Sequence, residues 1–321
     1  MNSFKSATIY FFVLLLYFSV LLASAAFGQS TPNGKVIITG VRFAYPIVEK
    51  WIKDYKTINP SVQVSIDPRS TVDPTNYDLL IEAYEPNQSI KDSREFFYLG
   101  RYALLPVANS TSEFAKSYGN KGLTGDQIKE VFFHDVFAEK KNKGQITSPI
   151  TVYTRLQRAG APITFAHYFG FEQQNIKGKA ISGSDEHLIK ALLKDSTGVS
   201  YASLSLLYNL ETRKVLDGLT VIPVDQNGDG RISNDEKQVS DVDALITKLE
   251  SHELKNIPVE YLHISISKTN TNQEALNFLT WVFDQSQDDL HHFGYLKAEP
   301  KRFQKERERL SALTINYTTK K

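Results

Sequence analysis

"KVIITGVRFAYPIVEKWIKDYKTINPSVQVSI", residues 35 to 66, changes rhythm twice. Residues 36–38 are a short apolar run that reads as a buried strand. Ile47, Val48, Trp51, Ile52, Tyr55 and Ile58 then recur at helical spacing and mark one face. Pro46 suits a first helical turn, where its missing N–H has no partner to lose. Asn59-Pro60 stops the helix. Val62, Val64 and Ile66 alternate as a second strand. A strand–helix–strand unit of this kind predicts an α/β fold with parallel pairing.

The pattern continues outward. "YDLLIEAY" (77–84), "YALLPVAN" (102–109), "PITVYTR" (149–155), "GVSYASL" (198–204) and "VEYLHISIS" (259–267) read as strands. "LTGDQIKEVFF" (123–133) reads as an amphipathic helix capped by Thr124. A further helix opens over 162–169, and "DEHLIKALLKD" (185–195) is another. Residues 272–295 predict one long amphipathic helix. "KRFQKERERL" (301–310) predicts a solvated helical face.

Composition bounds the function. The 321 residues are 41% apolar and 23% charged, with a net charge of +1, so nothing asks for nucleic acid or an anionic membrane. There is no cysteine, which excludes disulfides, thiol catalysis and cysteine metal sites. Residues 1–28 read as a signal peptide, with Lys5 as the sole charge, an apolar run over 9–22, and Ala26 and Gly28 placed for cleavage before Gln29. An uncleaved anchor is the alternative. Both export the body, to a periplasmic or secreted location.

"DQNGDGRISNDE" (225–236) stands apart. The twelve-residue calcium loop asks for oxygens at positions 1, 3, 5 and 9, Gly at 6, a carbonyl at 7 and Glu at 12. Asp225, Asn227, Asp229, Ser233, Gly230, Arg231 through its carbonyl, and Glu236 supply them. "GLTVIPV" (218–224) before the loop reads as a strand, and the next helix starts near Asp241. A loop without a helix pair predicts a structural Ca2+ clip rather than a sensor. A plain polar turn is the other reading.

The ordered set "ITGVRFAYPIVEKW", "LTGDQIKEVFF", "ITVYTRLQRAGAPITFAHYF" and "TGVSYASLSLLYN" resembles the periplasmic phosphate-binding proteins of ABC transporters, within the type II periplasmic binding protein superfamily. The resemblance spans most of 35–300. It implies an α/β, two-lobed fold with two crossover strands. Residues 35–107 and 258–321 would form lobe 1, and 108–257 would form lobe 2 with the loop at 225–236 as an excursion.

The resemblance also implies a site. Helix N-termini near Pro46 and Pro162 would aim unpaired N–H groups at an oxyanion between the lobes. Gly40, Val41, Arg42 and Phe43 stand at the family's first ligand loop, Arg155 at its arginine, and Ala159, Gly160 and Ala161 at its Ser-Gly-Thr. The hydroxyls are gone, so phosphate gives way to a carboxylate or other oxyanion held by Arg42, Arg155 and Arg158. Arg42 and Arg158 are equally open to a reading as surface residues. Asp67 is the one carboxylate matched, loosely, to the family's aspartate.

No H-E-x-x-H, G-x-S-x-G or phosphate-loop motif is present, so no enzyme is expected. His291-His292 reads as a surface pair and His167 as packed among aromatic neighbours. The expected function is capture of a small anion by a monomer for an ABC-type permease. The alternative is a cell-envelope binding or scaffold module of the same fold, its cleft plugged by Phe43, Tyr45 or Tyr153.

Overall fold

The computed structural model describes residues 34–69, 73–84, 88–134, 146, 148–285 and 287–319. The leader at 1–28 lies outside them. Among the described residues no helix is long and apolar enough to cross a membrane.

The strands are β1 (Gly34–Gly40), β2 (Val62–Ile66), β3 (Leu79–Glu82), β4 (Arg94–Asn109), β5 (Thr151–Arg155), β6 (Lys179–Ile181), β7 (Gly198–Ser203), β8 (Leu219–Val221), β9 (Val259–Ser267) and β10 (Leu296–Lys297). The helices are α1 (Tyr45–Ile58), α2 (Gln88–Ser93), α3 (Glu113–Lys121), α4 (Gly125–Phe132), α5 (Gly160–Tyr168), α6 (Asp185–Leu193), α7 (Leu204–Leu207), α8 (Val242–Ser251), α9 (Gln273–Asp284), α10 (Asp288–His292) and α11 (Pro300–Thr319).

Two sheets share one strand. In lobe 1, β1 pairs in parallel with β2 and β3, while β9 runs antiparallel between β3 and β4. In lobe 2, β5 pairs in parallel with β6 and β7, while β4 runs antiparallel between β7 and β8. The two orders, β2-β1-β3-β9-β4 and β6-β5-β7-β4-β8, repeat one plan. β4 serves both because its partner changes between Ala103, opposite Val259, and Leu104, opposite Ser203. The chain returns beside that point, where the Leu104 N–H donates to the Pro258 carbonyl at 2.9 Å. These are the two crossovers, and the fold is two-lobed α/β.

Each lobe has its own core. Tyr55 meets Phe278 edge-on and Trp281 packs beside them in lobe 1. Phe165 stacks on Tyr201 at 4.1 Å and meets Phe132 at 5.0 Å in lobe 2. Within α1, Ile47, Val48, Trp51 and Tyr55 are buried, but Ile58 ends the helix and is 58% exposed.

Three expected elements differ. The strand read over 102–109 begins eight residues earlier, at Arg94; a register shift between Tyr98 and Gly100 breaks the alternation that would have revealed it. The long helix over 272–295 is two helices, because Gln285 adopts extended backbone and its N–H closes α9 on the Trp281 carbonyl. The face of α11 is not simply solvated. Glu306 is buried, and the Arg302 guanidinium lies 3.9 Å from the Tyr98 ring and 4.2 Å from Tyr261.

Candidate functional site

Parallel strands deliver their C-terminal ends, and the helices that follow, to the same side. Here both lobes do so toward one cleft of about 920 Å³. Gly40 ends β1 at φ +135°, a conformation reserved for glycine, and a Cβ there would strike the Ile81 carbonyl. Val41, Arg42 and Phe43 then turn through a short 3-10 helix into α1. Gly160 opens α5 against Ala83, leaving space for no side chain. Ile81 and Ala83 are two strand residues apart, roughly 7 Å. The two glycines therefore flank the same end of β3.

Of the sequence-derived candidates, Gly40, Val41, Arg42, Phe43, Arg155, Arg158, Ala159 and Gly160 line this cleft. Ala161 does not; it is buried behind them in the first turn of α5. Asp67 is also outside the wall and takes the Arg69 N–H at 2.9 Å. The N–H groups of Gly160 and Ala161 precede the first intrahelical bond, made by Ile163 to the Ala159 carbonyl at 3.2 Å. Arg42 and Arg158 are exposed at the cleft edge.

Arg155 is not a free cation. Its Nη1 donates to the Asp185 carboxylate at 2.9 Å, with both side chains nearly buried. Burial pushes Asp185 upward, against the lowering pull of Arg155. Asp185 arrives on α6, whose start (Ser182, Gly183, Ser184) forms another part of the wall. Ser184 at the N-cap position, followed by Asp185 and Glu186 in the first turn, was a legible signal for that helix start.

Two more charged residues line the cleft from lobe 1: Glu82 at the end of β3 and Arg94 at the start of β4. Burial pushes Glu82 up to about 7, with Arg94 and a Tyr84 hydrogen bond opposing. Phe43, Tyr45 and Tyr153 do not fill the cleft. Phe43 packs down onto Tyr102, Tyr45 donates to the Gly40 carbonyl at 3.1 Å, and Tyr153 donates to Asp195 in lobe 2.

His167 is not packed among its aromatic neighbours: it is exposed and 3.2 Å from Glu172. On α10, His291 is partly exposed and lies 2.8 Å from Glu250, and His292 is exposed.

The 225–236 loop folds around its end residues. Asp225 and Glu236 are 2% and 3% exposed. The Asp225 carboxylate accepts N–H bonds from Gly228, Asp229 and Gly230, and Glu236 accepts from Gln226, Asn227 and Ser233. Gly230 adopts φ +82°. Asn227 and Asp229 are exposed, and Asn227 Nδ2 donates to Asp229 at 3.2 Å. Among the described residues, no three His, Cys, Asp or Glu side chains converge on one metal position.

The chain matches no family model and no curated protein. Solved structures do share its fold. A phosphate ABC transporter substrate-binding protein with bound phosphate from Clostridium perfringens superposes with a TM-score of 0.59 at 15% identity, covering 83% of this chain and 100% of that one. An ABC-type phosphate transport receptor from Vibrio cholerae gives 0.56 at 14%, covering 82% and 100%. The CcmR regulatory domain from Synechocystis PCC6803, in complex with 2-PG, gives 0.52 at 13%, covering 80% and 99%. The fold is that of the type II periplasmic binding proteins, and at this identity the likeness extends to fold alone.

Proposed function

We propose that this chain is an extracytoplasmic solute-binding protein. It captures a small oxyanion, phosphate-like or carboxylate, between its lobes and presents it to an ABC-type permease. The observation that supports this most is convergence: the 3-10 turn leading into α1, the α5 start at Gly160 and the Arg42, Arg155 and Arg158 side chains open on one cleft. Free N–H groups and guanidinium forks both favour negative charge. Closure of the lobes over the anion is the state a permease would read. The protein acts as a monomer and performs no chemistry on its ligand. Residues 1–28 supply export, with cleavage near Gly28.

A thermal-shift screen against phosphate, sulfate and small carboxylates tests the reading. At least one anion should raise the unfolding temperature, and the Arg158→Ala variant should lose that rise. Silence from every anion would remove the transport function.

We further propose that residues 225–236 bind calcium as a structural clip. Asp225, Asn227, Asp229, Ser233, Glu236 and the Arg231 carbonyl would hold it. Asp225 Oδ2 and Glu236 Oε2 each accept a single N–H bond and keep lone-pair capacity beyond it. The ion would cross-link the loop and stabilise lobe 2.

A further inference from the structure

The cleft holds a cation with no counterpart among the residues read from the sequence. Arg94 lies opposite Ser267 at the start of β4, and strand alternation puts Ser265, Leu80 and Glu82 on the same face of the sheet. The side chain runs along that face. Nε donates to Ser265 Oγ at 2.8 Å and Nη2 to the Ser265 carbonyl at 2.9 Å. The Tyr77 ring covers it at 5.2 Å. Arg94 is only 6% exposed, yet it lines the cleft. Among the described residues no carboxylate comes within 4.0 Å of its guanidinium, and Nη1 has no protein acceptor.

A buried, unpaired guanidinium is costly unless an anion completes it. Glu82 is the acid that feels its charge, but burial favours the neutral form of Glu82, and its Oε2 has no hydrogen-bond partner. The cleft meanwhile runs from Arg158 and Gly160 in lobe 2 to Arg94 in lobe 1, with Leu80 and Ile81 along it. Its 920 Å³ falls in the range of clefts that enclose drug-sized ligands, roughly 300–1,000 Å³. One tetrahedral anion would leave most of it vacant and Arg94 unanswered.

We propose that Arg94 is a second anion anchor and that the ligand is a small organic diacid, one carboxylate seated on the α5 start with Arg158 and the other on Arg94. This rests on the anion-binding reading above. The carbon skeleton lies against Leu80 and Ile81, and Tyr77 shields the Arg94 end from water.

Isothermal titration of the full protein near pH 6 with phosphate, butyrate, succinate, glutarate and adipate tests it. At least one diacid should bind about tenfold or more tighter than butyrate and phosphate, and Arg94→Gln should lower the diacid-to-butyrate ratio by about tenfold or more. Arg94→Lys should recover part of that ratio. An unchanged ratio in Arg94→Gln, or no diacid preference, overturns the proposal. If phosphate or butyrate binds but diacids bind no better, only this inference falls; if no anion binds, the anion-binding reading falls with it. Should Arg94→Gln fail to fold, Glu82→Gln serves, because removing the competing carboxyl should raise the diacid ratio near pH 8. No rise there likewise counts against Arg94 as an anchor.

Discussion

Gly160, the first residue of α5, faces Ala83 of the other lobe so closely that a methyl on its α-carbon would stand 2.8 Å from the Ala83 Cβ and 2.9 Å from the Ala83 carbonyl oxygen. That carbonyl cannot retreat easily. It accepts from the buried Tyr102 hydroxyl, and Thr164 of α5 bonds both. Gly160→Ala should therefore push the α5 start away from lobe 1. Overpacking of this kind costs about 1–3 kcal/mol. The expected result is a lower unfolding temperature together with anion affinity weakened about tenfold by titration. A variant that binds like the parent would show that the contact does not set the site.

Asp185 and Arg155 lead to a different expectation. Removing one partner of a buried pair strands the other, at about 3–5 kcal/mol. Asp185→Asn should lower stability on that scale. Because the stranded guanidinium faces the cleft, added anion should restore more stability to this variant than to the parent. Thermal melts with and without phosphate and succinate measure both quantities. Equal restoration in the two proteins would mean that Arg155 does not reach the ligand.

Glu82 should make stability fall with rising pH. Its folded value of about 7 lies above the ordinary 4.5, so the folded state holds a proton that the unfolded chain releases. The stabilisation is complete below about 4.5 and is lost as pH climbs through about 7, a change of about 3 kcal/mol at most. Arg94 from β4, Tyr77, Tyr84, and His263, opposite it on β9, are among the polar groups around it. Melting curves between pH 5 and 8 should slope downward in the parent. Glu82→Gln should flatten them. An unaltered slope would assign the pH dependence to another group, with Asp185, also raised by burial, as the next to test.

The lobe-forming units were legible because each is local. The 35–66 stretch carries its own period changes and stop signal, and "LTGDQIKEVFF" carries a full capping box at Thr124 and Gln127. The cleft was legible where backbone geometry leaves a trace, as at Gly40 and Gly160. Its charge balance was not. Asp185 meets Arg155 across 30 residues, and Arg94 reaches Ser265 across 171, so neither partnership has a sequence spacing to read. Arg94 was further hidden by the bulge at Tyr98 to Gly100, which cut its strand in two for any reading by alternation.

The loop at 225–236 gives the last prediction. Burial works against the Glu236 carboxylate, but N–H bonds from Ser233, Gln226 and Asn227 hold it below the usual range, so it is charged at neutral pH. The loop is tied to the returning crossover: Asn256, at φ +60°, donates to the Asp225 carbonyl at 2.6 Å, and the Lys255 N–H donates to the Gln226 carbonyl at 2.8 Å. A bound cation would therefore brace the segment leading to Pro258 as well as lobe 2. Calcium at a hundred times its dissociation constant should stabilise the fold by about 2.7 kcal/mol. Asp229→Asn keeps the side chain's size and its acceptor for the Arg231 N–H and gives up only the exposed Asn227 contact, so it should melt close to the parent in chelator and lose most of the calcium increment. Magnesium, which demands a tighter octahedral shell, should substitute poorly. If parent and variant melt identically with and without calcium, the loop is closed by its own N–H bonds and the metal has no part in it.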